Sequence, residues 1–311
     1  MGESDTSRWS RVAAAANDAA SLFGGGVIAA LAPSPRAESI VCEAARLATA
    51  WGLSLTFLNV GADPAERAEL AKLVAARASG AELAFAEGSR VDQALCAAAK
   101  ERNAGLILIG ALEHEAGVTW YRGSVARRVA RTAPCSVLLL AHPRVEPAPF
   151  TRPQINVQGL ERSRPLIALG LALARREHAQ DLHAVVEYEA HGLHLAATAD
   201  EGLAEADRQA LQHQEELALA GFVASLDTGG VVVRRFCVPG RRGFAALEHA
   251  HDHGRDLLLW RAPTRRAGLM DKLFPHDTEL ALRDLTCPLL IYRPPRGGRR
   301  TATRGVSGTG Q

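Results

Sequence analysis

The chain has 311 residues, enough for about two domains that each bury a core of their own. Hydrophobic residues make up 47% and charged ones 23%, which excludes a chain disordered throughout. The formal net charge is +2, but Arg293, Arg296, Arg299, Arg300 and Arg304 crowd the C-terminus, so the chain before Arg293 is net negative and excludes a nucleic-acid-binding body.

No apolar run approaches the ~18–20 residues of a membrane span. The alanine-rich stretch 12–32 is broken by Asn17, Asp18 and three glycines, and Glu3 and Asp5 oppose the positive start of a signal peptide. Five cysteines form no C-x-x-C pair and read as small apolar core residues in a reducing compartment. The expectation is a soluble cytoplasmic protein without a membrane partner.

Residues 1–22 read as an N-terminal arm or helix. The glycines at 24–26 precede a strand instead of following one, and no Gly-Lys-Ser/Thr comes after them, so they are a lead-in and not a phosphate loop. The first strand is expected over 27–31. Ser34-Pro35 gives an N-cap and a first-turn proline for a helix to about Trp51. A second strand follows over 53–60. Asp63, Pro64 and Glu66 form a capping box for a helix to about Ser79, and 81–86 is the third strand. Ser89 to Asp92 is another capping box, opening a helix in which Val91, Leu95 and Ala98 share a face. The apolar run 105–109 reads as a fully buried strand ending at Gly110. Gly123-Ser124 then opens a helix with Val125 and Val129 inward and Arg127, Arg128 and Arg131 outward. Pro134 stops it before a strand over 137–140.

A proline-rich segment, 145–153, reads as a linker, after which the order returns in weaker form. The expected elements are a poor strand over 155–160, a helix over 165–177, a strand over 182–188 and a long helix over 200–223. A strand over 231–238, a helix over 244–253, a strand over 257–260, a helix over 277–285 and a strand over 288–292 complete the series. The repeat is measurable by offset. Gly88 and Gly240 stand 152 residues apart, and Cys135 and Cys287 repeat that spacing. The fold class is therefore α/β: two tandem doubly wound, Rossmann-like domains, each with a parallel five-stranded sheet. The boundaries expected are an arm (1–22), a first domain (23–144), the linker (145–153), a degenerate second domain (154–293) and an Arg/Gly-rich disordered tail (294–311).

With Gly110, then Gly123-Ser124-Val125, then Ala133-Pro134-Cys135 before a strand, the chain resembles the universal stress protein family in its tandem, two-domain form. In the ATP-binding members of that family the ending reads Gly, two residues, Gly, nine residues, Gly-Ser/Thr. The resemblance implies that these loops hold the phosphates and that an acidic residue after the first strand holds the nucleoside. The candidate phosphate loop is thus Gly110, Gly123, Ser124 and Val125. Backbone N–H groups and the positive end of a helix suit an anion there. Two departures oppose it. Glu113 stands at the middle glycine, adding a Cβ and a charge that costs roughly 4 kcal/mol against a phosphate at a partly shielded site. Ala32 stands where the acid would be. Glu115 adds to the repulsion and Arg122 opposes it. In the second copy Arg261 replaces the strand-end glycine, and Pro275-His276 replace Gly-Ser. The final helix opens on Asp277 and Glu279, beside a basic loop with Arg265, Arg266 and Lys272.

Elsewhere, His249 and His253 share a helix face while His251 does not, too few ligands for a closed metal site. His191 and His194, in an insertion, are the other histidines considered. No catalytic motif is found: no Gly-x-Ser-x-Gly, no His-Glu-x-x-His and no Walker lysine. Three readings follow. The leading one is a non-enzymatic stress-response protein without a cofactor, acting through an unknown protein partner or ligand. It is paired as an intramolecular pseudo-dimer, with a further homodimer left open. The second is an ATP-binding switch or slow ATPase built on the first domain. The third is a metal- or small-ligand-binding protein using the second domain's histidines.

Overall fold

Short β-rich runs alternating with amphipathic helical ones leave the chain little choice but a sheet covered on both faces. The computed structural model describes residues 19–88, 90–110, 125–188, 201–240, 243–262 and 285–295. The first half contributes α1 (Ala19–Phe23), β1 (Val27–Ala30), α2 (Ala37–Trp51), β2 (Leu55–Val60), α3 (Pro64–Arg77) and β3 (Glu82–Ala86). It continues with α4 (Val91–Glu101), β4 (Leu106–Gly110), α5 (Val125–Thr132) and β5 (Ser136–Leu140). The second half contributes β6 (Pro153–Val157), α6 (Leu160–Arg176), β7 (Leu182–Tyr188), α7 (Glu201–Ala224), β8 (Val233–Pro239), α8 (Ala245–Asp252), β9 (Leu257–Arg261) and β10 (Leu289–Tyr292).

All ten strands join one sheet in the order β3-β2-β1-β4-β5-β10-β9-β6-β7-β8. Within each half the ladders are parallel, and each half's first strand lies between its second and fourth. That order leaves a crevice at the carboxyl ends of β1 and β4, and another at β6 and β9, where doubly wound sheets bind ligands. The halves meet where β5 and β10 run antiparallel, with Leu138 opposite Leu290. No helix among the described residues is long and apolar enough to cross a membrane.

Local chemistry explains most boundaries. Asp63 accepts from Glu66 N at 2.9 Å and Glu66 answers to Asp63 N at 3.0 Å, so the expected capping box closes α3. The start of α2 differs from expectation. Ser34-Pro35 forms a turn ahead of it, and the cap position falls on Arg36, whose side chain makes no cap bond. At α4 the cap position likewise falls on Arg90, and Ser89 lies outside the described residues. Helix α6 begins five residues before Pro165, so that proline sits inside the helix instead of opening it. Strand β6, expected to be poor, is buried at every residue. Gln154 and Asn156 obscured it, yet each amide nitrogen finds an acceptor within the fold. Gln154 donates to Ala246 O at 2.7 Å and Asn156 to Glu187 at 3.1 Å.

The two faces of the sheet bury separate cores. One runs from Phe57 and Trp51 through Leu138 to Leu259 and Phe222, and so spans both halves. The other holds Leu95, Ile107, Val129, Val137, Leu289 and Trp260. The expected linker is partly built in. Phe150 is buried, and Asp256 accepts from Thr151 N and Arg152 N at 2.7 and 2.9 Å. Arg293, the last residue of the expected second domain, is a half-buried tie between halves. Its guanidinium donates to the carbonyls of Ala130 and Cys135 and so caps the last turn of α5. The rest of the tail, 296–311, the arm residues 1–18 and the insertion 189–200 lie outside the described residues.

Candidate functional site

The first crevice opens where β4 ends at Gly110. A Cβ on Gly110 would stand 3.1 Å from Ile40 Cδ1, so glycine lets the strand end lie close to α2. Val125 opens α5 and Val129 is buried, as the sequence pattern requires. Arg128 does not point away as expected. It reaches Asp92 at 3.1 Å, and Arg90 bonds the same carboxylate. Those hydrogen bonds, with Arg90's the strongest, hold Asp92 below the usual carboxylate range despite its burial. The network ties α5 to α4 behind the crevice. Gly123, Ser124 and Glu113, with Glu115 and Arg122, lie outside the described residues.

At the end of β1, Ala32 is exposed and offers no side-chain polar group. The buried Asn59 beside it donates to Leu31 O at 2.9 Å and accepts from Ala62 N at 3.2 Å, so its amide serves the loop. In the second half, Arg261 reaches from the end of β9 to the carbonyl of Arg162 on α6. Glu187 on β7 accepts from Gly243 N and Ala246 N, both at 2.8 Å, and so fills the N-terminus of α8 with a carboxylate. The basic loop and final helix, within 263–284, lie outside the described residues.

This strand-end glycine, helix and buried strand fall in a segment, residues 62–141, that matches the model of the Universal stress protein family. That segment is similar to a universal stress protein domain. Whole chains of that kind share the two-half fold. A universal stress protein from Archaeoglobus fulgidus DSM 4304 is 13% identical, with 88% of this chain and 97% of that one covered at a TM-score of 0.59. A putative universal stress protein from Pseudomonas aeruginosa UCBPP-PA14 is 17% identical, with 88% and 95% covered at a TM-score of 0.60. No curated protein matches the chain.

A second polar site of this universal stress-type fold lies at the opposite edge of the sheet. His249 and His253 do share a face of α8, and their rings stack at 3.9 Å. Sequence spacing missed their partner, His183 on β7, whose Nδ1 lies 3.1 Å from His249 Nε2. No local signal joins residues 66 positions apart. Phe236 on β8 packs against His183 and His249 at 4.4 and 4.5 Å. His183 is 3% exposed, and burial followed by the charge of Arg255 brings it down to about 4. Burial, His253 and Arg255 do the same to His249, also to about 4. Both rings are therefore neutral near pH 7 and bonded to each other. Among the described residues no group of three His, Cys, Asp or Glu side chains is placed to hold a metal. His191 and His194 lie outside them. Beside the rings opens a depression of about 680 Å³, lined among others by Arg152, Asp181, Arg234 and Arg255.

Cys135 and Cys287, at matching strand entries, are buried free thiols that desolvation pushes up to about 12. At neutral pH they are protonated and unsuited to nucleophilic work.

Proposed function

We propose that this protein is a non-enzymatic tandem universal stress-type protein, working in the stress response by binding a partner or ligand rather than by turning one over. The observation that carries this reading is the exposed Ala32 at the end of β1, where no carboxylate meets a ribose. The second half agrees with it, because Arg261 is committed to Arg162 and Glu187 already answers the N-terminus of α8. What remains is a ten-stranded body whose two halves pack as a pseudo-dimer, a form suited to presenting surfaces.

One feature favours a second reading, an ATP-binding switch on the first domain. Gly110 still ends β4 close to α2, and α5 still points its first turn at that crevice. Thermal unfolding with and without millimolar ATP and Mg²⁺ separates the two. Ligand at 100 times its dissociation constant adds about 2.7 kcal/mol of stability. The leading reading expects no shift and no phosphate release. A shift that Gly123→Glu abolishes would overturn it.

A further inference from the structure

The depression at the N-terminal ends of β6, β7 and β8 carries an arrangement of charge that the fold itself does not require. Asp181 sits between two guanidiniums. It accepts from Arg255 Nη1 at 2.7 Å and from Arg234 Nε at 2.8 Å. Burial opposes ionisation of Asp181, but the Arg255 hydrogen bond and charge prevail and hold it below its ordinary range. One carboxylate thus orients two cations without cancelling both. Arg255 is only 8% exposed. Its Nε is used on His253 O at 3.2 Å and its Nη1 on Asp181, while Nη2 has no partner among the described residues. Among the described residues Arg234 spends only Nε, leaving both terminal nitrogens, and its side chain is 60% exposed. Arg152 approaches from the lead-in to β6, with Nη1 on Gly254 O at 3.4 Å.

The end of α8 points its C-terminus here, and free carbonyls would favour a cation. They are already answered: His253 O by Arg255, Gly254 O by Arg152, and Ala250 O by Arg255 N. Asp252 is the other acid on the wall, set against three arginines. The aromatic ring of Phe236 lies beside the arginines, and the opening is far larger than one tetrahedral anion.

We propose that this depression binds a phosphate monoester, its phosphate held by Arg234 and Arg255 and its organic portion lying against Phe236. Guanidinium forks match phosphate oxygens in pairs, and here one fork is already immobilised by burial and the other steered by Asp181. The site is separate from the crevice of the first half, so it stands whether or not ATP binds there.

Calorimetric titration of the full chain with inorganic phosphate and with phenyl phosphate tests this. The expected result is saturable binding of phenyl phosphate with a Kd at or below about 1 mM, tighter than inorganic phosphate. Arg234→Gln, on an exposed side chain of an edge strand, should weaken it by about tenfold or more. Arg77→Gln, removing an equal charge on α3, should leave it unchanged. The absence of saturable binding would overturn the proposal, as would equal affinity in Arg234→Gln. Loss of binding in Gly123→Glu with Arg234→Gln unaffected would assign the anion to the first half and also overturn it.

Discussion

Trp51 Nε1 donates to Glu177 Oε1 at 2.6 Å, joining the end of α2 to the end of α6 across 126 residues of sequence. The same carboxylate accepts from Arg46 Nη1 at 2.6 Å and from Phe150 N at 3.0 Å, and it is 2% exposed. Three donors from the first half and the connecting segment thus converge on one buried acid of the second. Trp51 also stacks on Phe23 at 5.7 Å, and Arg46 lies over the Phe150 ring at 4.9 Å. The halves are therefore specified against each other by directional bonds as well as by area.

Removing the acid should cost more than removing one donor. Trp51→Phe keeps most of the ring and forfeits one charge-assisted bond, so about 1.5–3 kcal/mol is expected. Glu177→Ala takes from the half-buried Arg46 its nearer acid and leaves only Glu43 at 3.7 Å, while Nε and Nη2 already lack hydrogen bonds, and about 3 kcal/mol or more is expected. Urea unfolding reads both. A Glu177→Ala midpoint equal to that of the parent would show that the cluster contributes nothing.

Leu138 and Leu290 face each other at the centre of the antiparallel pair, both fully buried. Each leucine is the other's counterpart in the repeat, offset by 152 residues like Cys135 and Cys287. Either Leu→Ala change should cost about 2–5 kcal/mol through lost burial and a cavity. Because the sites touch, the double variant should depart from additivity by at least about 0.5 kcal/mol, whereas either one paired with Leu70→Ala should add. A double-mutant cycle in urea decides it.

The fold was legible because its signals are local: buried runs of four or five apolar residues, prolines and caps at helix starts, and a repeat that restates them. Failures occurred where tertiary partners outweighed local chemistry. Gln154 and Asn156 looked too polar for a central strand until α8 and Glu187 supplied partners. Arg293 closes the second half's expected range, but its bond to the last turn of α5 has no signal in the sequence. The site was read less completely. Departures such as Ala32 and Arg261 are visible in one dimension, but the His183–His249 contact depends on β7 lying under α8, which no spacing rule reaches.

Stability should fall on acidification through the histidine cluster. His183 and His249 titrate near 4 in the folded protein, while an unfolded histidine titrates near 6.5. Between those values the unfolded chain binds more protons, so the contribution is complete above about pH 6.5 and disappears as the pH falls towards 4. Glu43 and Asp256, raised by burial, act in the opposite sense, so the test is a difference between variants. The Tm drop from neutral pH to about 5 should shrink in His183→Asn. An unchanged drop would mean that the cluster does not set the acid limit.

In the sequence of the first half, two departures from the nucleotide-binding pattern oppose ATP. Ala32 follows β1 with no hydrogen-bonding side chain, and Glu113 brings a carboxylate to the sequence of the candidate phosphate loop. Restoring a carboxylate alone addresses the ribose and leaves the repulsion, while removing Glu113 alone relieves the phosphates and leaves the nucleoside unheld. The two changes act on different parts of one ligand, so their effects on affinity should multiply. Ala32→Asp combined with Glu113→Gly should therefore gain an ATP-dependent rise in Tm that neither single variant matches, approaching about 2.7 kcal/mol at 100 times the new Kd. Introducing Arg261→Gly instead should gain nothing, because Glu187 still occupies the N-terminus of α8. Thermal unfolding of the four proteins with ATP and Mg²⁺ checks the set. A double variant that stays blind to ATP would mean that the obstacle lies elsewhere than in Ala32 and Glu113.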